Sequence, residues 1–337
     1  MTFRETDSAL ARPHGLAVVR TPRPTPPDGH EGRAGGHAEI ARSEPGTQSV
    51  RRVFRLQVKG ALEALEHAPA SDAAVHAARK DLKRARATLR LLREAVGETV
   101  YSRENAVLRD VARSWSVLRD ARVLLDQLDA LVERWGAPAR ALPLESLRGE
   151  LRRERRAARR QWMQHPDALL SEVAALQNVY ERCARWRVGE HGWSVLGPGL
   201  KQVYARGRRA LTLAAAKRSP ENLHEWRKQA KYLWHQLQLL TPLWPGQIGE
   251  LADQAHKLAD YLGDDHDLSV LRARVLDRSQ LLPTRNARGA LLGMIDQART
   301  ELQDKAFVLG ERIYERKPQG FAARLGRYWS EWHRPTS

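Results

Sequence analysis

The sequence predicts an all-α protein built from two similar helical bundles, and three observations predict it. From residue 48 onward, apolar residues recur at the three- and four-residue spacing of a helix, with no convincing alternating strand. Pro, Gly and capping residues fall at the ends of the periodic segments. A basic amphipathic stretch occurs twice, 148 residues apart, as a duplicated chain would show. Two bundles of about four helices each, packed as a pseudo-symmetric pair, follow from these observations.

Residues 1–46 precede the helical pattern. They hold six of the seventeen prolines and a Gly-rich run from Gly29 to Gly36. Without periodicity, a disordered arm is expected. Its six arginines are balanced by six acids, so the net charge of +17 belongs to the remainder of the chain. The arm therefore does not read as a basic nucleic-acid-binding tail.

Helices are predicted at 48–67, 73–96, 99–134, 142–163 and 166–187, then at 195–216, 220–241, 246–279, 283–314 and 320–333. Pro69-Ala70-Ser71-Asp72 offers a cap for the second helix. Gly136-Ala137-Pro138 and the stretch from Gly189 to Pro198 break the pattern. Ser219-Pro220-Glu221 reads as N-cap, proline at the first helical position and an acid in the first turn. The first bundle is placed at 47–190, the second at 191–320, and an aromatic C-terminal tail at 321–337.

Composition bounds the function. The chain has 337 residues, 57 Lys+Arg against 40 Asp+Glu, and a sequence pI near 10.6. Such an excess suits a polyanionic partner: nucleic acid, an anionic surface or a phosphate polymer. A surface that is basic without functional cause is the alternative. The single cysteine, Cys183, excludes an intrachain disulfide and reads as a packed core residue. No apolar run has the length of a membrane span, and residues 1–20 lack a signal-peptide core, so a cytoplasmic protein is expected.

The repeated stretch carries the chemistry. In VHAARKDLKRARATLRLLR, from Val75 to Arg93, the residues His76, Arg79, Lys83, Arg86 and Arg90 fall within an arc of roughly 80° on a helix. Ala78, Leu82, Ala85, Leu89 and Leu92 form the opposite, apolar face. Only Asp81 is acidic between His76 and Arg93, so these cations need anions from elsewhere. The second copy, LHEWRKQAKYLWHQLQLL, aligns without a gap: His224, Arg227, Lys228 and Lys231 match His76, Arg79, Lys80 and Lys83. A downstream segment also repeats, Asp120 matching Asp267 and Leu124 matching Leu271. A pseudo-twofold would set the two basic helices facing each other.

With its second copy and the downstream Arg-Asp and Leu-Gly-x-x-x-Asp segments, this His-x-x-Arg-Lys-x-x-Lys helix resembles the CHAD domain, the conserved-histidine α-helical domain. The resemblance covers roughly residues 48–320. It implies two four-helix bundles around a strongly basic central channel, binding of inorganic polyphosphate and, in some members, association with storage granules. It assigns phosphate contacts to His76, Arg79, Lys80, Lys83, Arg84 and Arg86, and to His224, Arg227, Lys228 and Lys231. Arg90 continues the first ladder. The second copy departs from the pattern, since Tyr232 stands opposite Arg84 and Trp234 opposite Arg86. The first ladder is therefore expected to carry more of the affinity.

The physical chemistry agrees with that assignment. A phosphate chain has no base edges, so its recognition is positional and electrostatic. Arg offers a planar fork and Lys a mobile point charge. A phosphate beside His76 or His224 would raise its pKa and let both ring nitrogens donate. A histidine near a helix start is more often a cap or a packed ring, but its recurrence in the same ladder favours a ligand. Asp120 and Asp267 read as partners that orient the cations. Asp264-Asp265-His266-Asp267 resembles a metal cluster, yet consecutive helical residues point apart, so no metal and no cofactor are expected.

Arg152, Arg155, Arg156 and Arg159 share one side of the densest charge run. Such a run is ordinarily a solvated face; this one could also extend the channel. No phosphate-cradling loop, His-Glu-x-x-His or Gly-x-Ser-x-Gly motif is present, so no enzyme is expected. The sequence is that expected of a non-catalytic polyphosphate-binding protein, with polyphosphate granules as its setting. An RNA- or DNA-binding helical protein and a structural protein of polyester granules are the alternatives.

Overall fold

In the computed structural model, residues 39–44, 46–67, 72–164, 166–188 and 192–334 are described, without the side chains of 116–121 and 166. Every regular element among them is helical. Of the segment read as an arm, residues 1–38 and 45 lie outside the described residues, as do Pro69, Ala70 and Ser71 of the expected cap and the side chain of Asp120. Ile40 is buried against the main core.

The first half comprises α1 (Gly46–Glu66), α2 (Asp72–Leu91), α3 (Arg93–Val96), α4 (Glu98–Ser114), α5 (Ser116–Trp135), α6 (Ala137–Arg140), α7 (Glu145–Met163) and α8 (Pro166–Ala184). The second comprises α9 (Gly192–Ala216), α10 (Pro220–Leu240), α11 (Pro245–Asp277), α12 (Arg285–Ile313) and α13 (Pro318–Trp332).

Local chemistry explains several of the ends. Ser219 caps α10 by accepting the Asn222 amide, with Pro220 behind it. Thr284 caps α12 by accepting the Ala287 amide at 3.1 Å. Gly97 and Gly136 take positive φ, +78° and +60°, where the chain turns into α4 and out of α5.

Three expected boundaries move. The helix predicted at 73–96 is broken at Leu92, between α2 and α3. The helix predicted at 99–134 is interrupted at Trp115, which is buried, packs edge-on against Trp162 and donates its indole N–H to Glu172 of α8. Anchoring this large ring to α8 outweighs continuing the helix. The helix expected to start at 195 begins at Gly192, with Pro198 inside it. Here tertiary packing overrides the proline signal. A Cβ at Gly199 would lie only 2.5 Å from the Arg90 carbonyl oxygen, so α9 rests directly on the backbone of α2.

α1 packs along α2, and α8 lies against α1 and α4. α9 packs along α10, α10 along α11, and α13 against α9. The halves meet where α2 crosses α10 and where α5 meets α11. Two hydrophobic clusters result. The larger joins Phe54, Leu82 and Leu108 to Trp226, Leu237 and Leu258. The smaller joins Leu128 and Leu147 to Leu271 and Ile295. Each draws on both halves of the chain.

Candidate functional site

The two basic helices pack directly on one another. At their crossing, the Gln236 side chain donates to the Ala87 carbonyl oxygen at 3.0 Å. The 148-residue offset places Gln236 opposite Thr88, so the helices meet at nearly matching positions of the repeat.

His235, the next residue of α10, is buried, and its Nδ1 lies 3.2 Å from Gln238 Oε1. Burial pushes its pKa down to about 3; the contact with Gln238 opposes this, and the charges of Arg84, Lys231 and Lys83 add to it. Cations from both ladders are therefore felt at one buried ring, which is neutral at neutral pH.

A second junction lies further along α2. The Arg90 guanidinium sits 3.8 Å from the centroid of the Tyr232 ring, with Arg86 at 6.0 Å. Asn105 of α4 accepts from Arg86 at 3.2 Å and from Arg90 at 3.3 Å. Arg90 also donates to the Arg86 carbonyl oxygen. Burial pushes the Arg86 pKa downward, Tyr232 opposes, and the Arg90 charge adds to the fall. The guanidinium stays charged at any ordinary pH.

The predicted residues sit at three depths. His76, Lys80 and Lys228 are exposed. Lys83, Arg84, Arg86, Arg90, His224 and Lys231 are half-buried. Arg79 and Arg227, matched positions of the repeat, are both only 8% exposed. Arg79 donates to the Ala112 carbonyl oxygen of α4. Arg227 runs across α11, where a Cβ at Gly263 would be 3.6 Å from its Nε. In each half the downstream helix covers this arginine, which sits under the ladder rather than on its crest.

Other contacts set the rest. Arg84 pairs with Asp81 at 3.2 Å, and burial is the main force raising the Asp81 pKa. Lys228 pairs with Glu225. The His224 ring packs on His266, centroids 4.6 Å apart. Burial, and then the charges of Arg227 and Lys228, lower the His224 pKa. Among the described residues no three His, Cys, Asp or Glu side chains are placed to hold a metal ion together, those of the run containing His266 included. Asp265 instead accepts from Arg299 at 3.0 Å and from Gln303 at 2.8 Å.

Asn105 and His235 escape a reading by helical periodicity, because Asn105 acts on a helix other than its own and His235 sits at a position the repeat does not mark. Cys183 is buried, its thiol pushed up to about 11 by burial. No described helix is long and apolar enough to cross a membrane.

No curated protein matches the chain. The CHAD domain profile matches residues 52–276, more than half of the sequence and both basic helices, and the family is associated with polyphosphate binding; the chain belongs to the CHAD domain family.

Proposed function

We propose that the protein binds inorganic polyphosphate, without catalysis, through a basic channel between two pseudo-symmetric four-helix bundles, the repeated helices α2 and α10 forming its walls. The observation that carries this reading is the direct packing of the two matched basic helices, with Gln236 of α10 donating to the Ala87 carbonyl oxygen of α2 and the Arg90 guanidinium lying over the Tyr232 ring. The chain as a whole carries 57 Lys+Arg against 40 Asp+Glu, and a polyanion laid along the seam offsets the mutual repulsion of that excess. A linear phosphate chain suits the geometry, because successive cations rise by about 4.5–6 Å along each helix. Cytoplasmic polyphosphate granules are the cellular setting this function suits.

Long-chain polyphosphate should bind in low salt. With about ten cations engaged, the log–log salt slope should approach −7, by analogy with single-stranded nucleic acid. Lys83→Glu with Lys231→Glu should abolish binding while leaving helix content intact. Absence of binding by the unmodified protein would falsify the proposal. Displacement of polyphosphate by RNA at equal phosphate concentration would favour a nucleic-acid ligand instead. Lys83 and Lys231 suit the test better than Arg79 and Arg227, whose burial ties them to the fold.

A further inference from the structure

The arginine run of α7 carries an unexplained cost. Arg152, Arg155, Arg156 and Arg159 are spaced so that four pairs are i,i+3 or i,i+4 neighbours of like charge, each weakening an isolated helix. Together they line a concavity of about 220 Å³. The acids of the same helix do not relieve them. Glu145 pairs with Arg148, Glu150 with Arg153, and Glu154 with Arg274 of α11.

One carboxylate does reach the cluster. Asp72, the first residue of α2, pairs with Arg155 at 3.1 Å and Arg159 at 2.6 Å. It neutralises part of the group and leaves Arg152 and Arg156, both exposed, with no ion pair among the described residues. Asp72 lies one helical turn before His76, so it joins the α7 cluster to the start of the first ladder.

We infer that the α7 concavity is a second anion site that takes consecutive phosphates of the same polyphosphate chain as it leaves the α2 end of the ladder. This rests on the proposal that polyphosphate is the ligand. Arg152 and Arg156 meet the chain directly. Asp72 is an internal competitor, holding Arg155 and Arg159 in place until phosphate oxygens displace it.

The test is titration of the full chain with long polyphosphate and with tripolyphosphate across a salt series. Arg152→Ala with Arg156→Ala removes two exposed cations and no ion pair. Long-chain affinity in low salt should fall about tenfold, as expected for two exposed charge contacts. The salt slope should shrink by about 1.4 for two lost contacts. Tripolyphosphate, too short to span both regions, should lose less than long chains. An equal loss for both ligands overturns the single-chain assignment. Asp72→Asn should raise long-chain affinity, a gain that misfolding cannot mimic; a fall overturns the competitor role.

An unchanged slope and affinity in the α7 double variant, with binding still lost in Lys83→Glu/Lys231→Glu, overturns the α7 site and leaves the ladder reading standing. Loss in the α7 variant with full binding by the ladder variant overturns the ladder reading and, with it, the single-chain assignment. No binding by the unmodified protein overturns both.

Discussion

Arg90 and Tyr232 meet across the seam between α2 and α10, the guanidinium carbon 3.8 Å from the ring centroid. The tyrosine stands where the first copy of the repeat has Arg84. The second helix has therefore exchanged a cation for a ring that holds an arginine of the first. Tyr232→Ala should lower stability by about 1–2 kcal/mol, the upper range of a partly desolvated cation–π contact. Tyr232→Phe should retain most of that stability, because the ring face, not the hydroxyl, makes the contact. Chemical denaturation of the two variants checks this; equal losses would show that the hydroxyl matters.

Gly199 permits the backbone contact between α9 and the end of α2. Gly199→Ala would set its Cβ 2.5 Å from the Arg90 carbonyl oxygen and 2.7 Å from that of Leu91. Backbone atoms cannot swing aside as a side chain can, so the variant should lose about 1–3 kcal/mol as an overpacked core does. A melting temperature matching that of the unmodified protein would mean that α9 shifts freely on α2.

Glu104 has no exposed surface, and accepts from Arg182 of α8 at 2.6 and 2.9 Å and from Arg103 at 2.7 Å. Glu104→Gln should cost about 2–3 kcal/mol. That lies below the usual range for breaking a fully buried pair, because the Arg182 side chain is about one-third exposed. Urea unfolding checks the figure; a neutral outcome would show that Arg182 finds water without penalty.

His235 makes stability depend on pH. Its pKa is about 3 in the folded chain against the ordinary 6.5, so the unfolded state binds the extra proton between those values. Stability should therefore fall as pH drops below 6.5, with a slope approaching ~1.4 kcal/mol per unit for one proton. His224, whose pKa is also lowered, adds in the same direction. Gln238, Arg84, Lys231 and Lys83 act on the His235 pKa, and the Trp234 ring stacks on the imidazole. His235→Gln should flatten the stability profile between pH 5 and 6.5, above the main carboxylate range. An identical profile in that variant would remove His235 as the cause.

Much of the helical framework is legible in the sequence because its signals are local. Ser219 and Pro220 announce α10, and the spacing of Leu82, Leu89, Leu233 and Leu237 selects the buried faces. Depth on the cationic face is not local. Arg79 and Arg227 share an arc with Lys83 and Lys231, yet α4 and α11 cover the edge on which they lie. No helical wheel includes the neighbouring helix. Trp234 stands opposite Arg86 in the repeat, yet its ring stacks on those of His235 and His256. Trp115 looks like one more apolar residue of a long helix; only its contacts with Trp162 and Glu172 explain the break.

The two hydrophobic clusters also govern how the chain can be made. Leu128 and Leu147 of the first half close against Leu271 and Ile295, which lie more than 120 residues later. During synthesis, the first half emerges with that apolar surface uncovered and keeps it so until α11 and α12 follow. Folding is therefore a late event on the ribosome, and truncated products ending before α11 are the aggregation-prone species to expect. A sequence that looks like two units in series ripens as one.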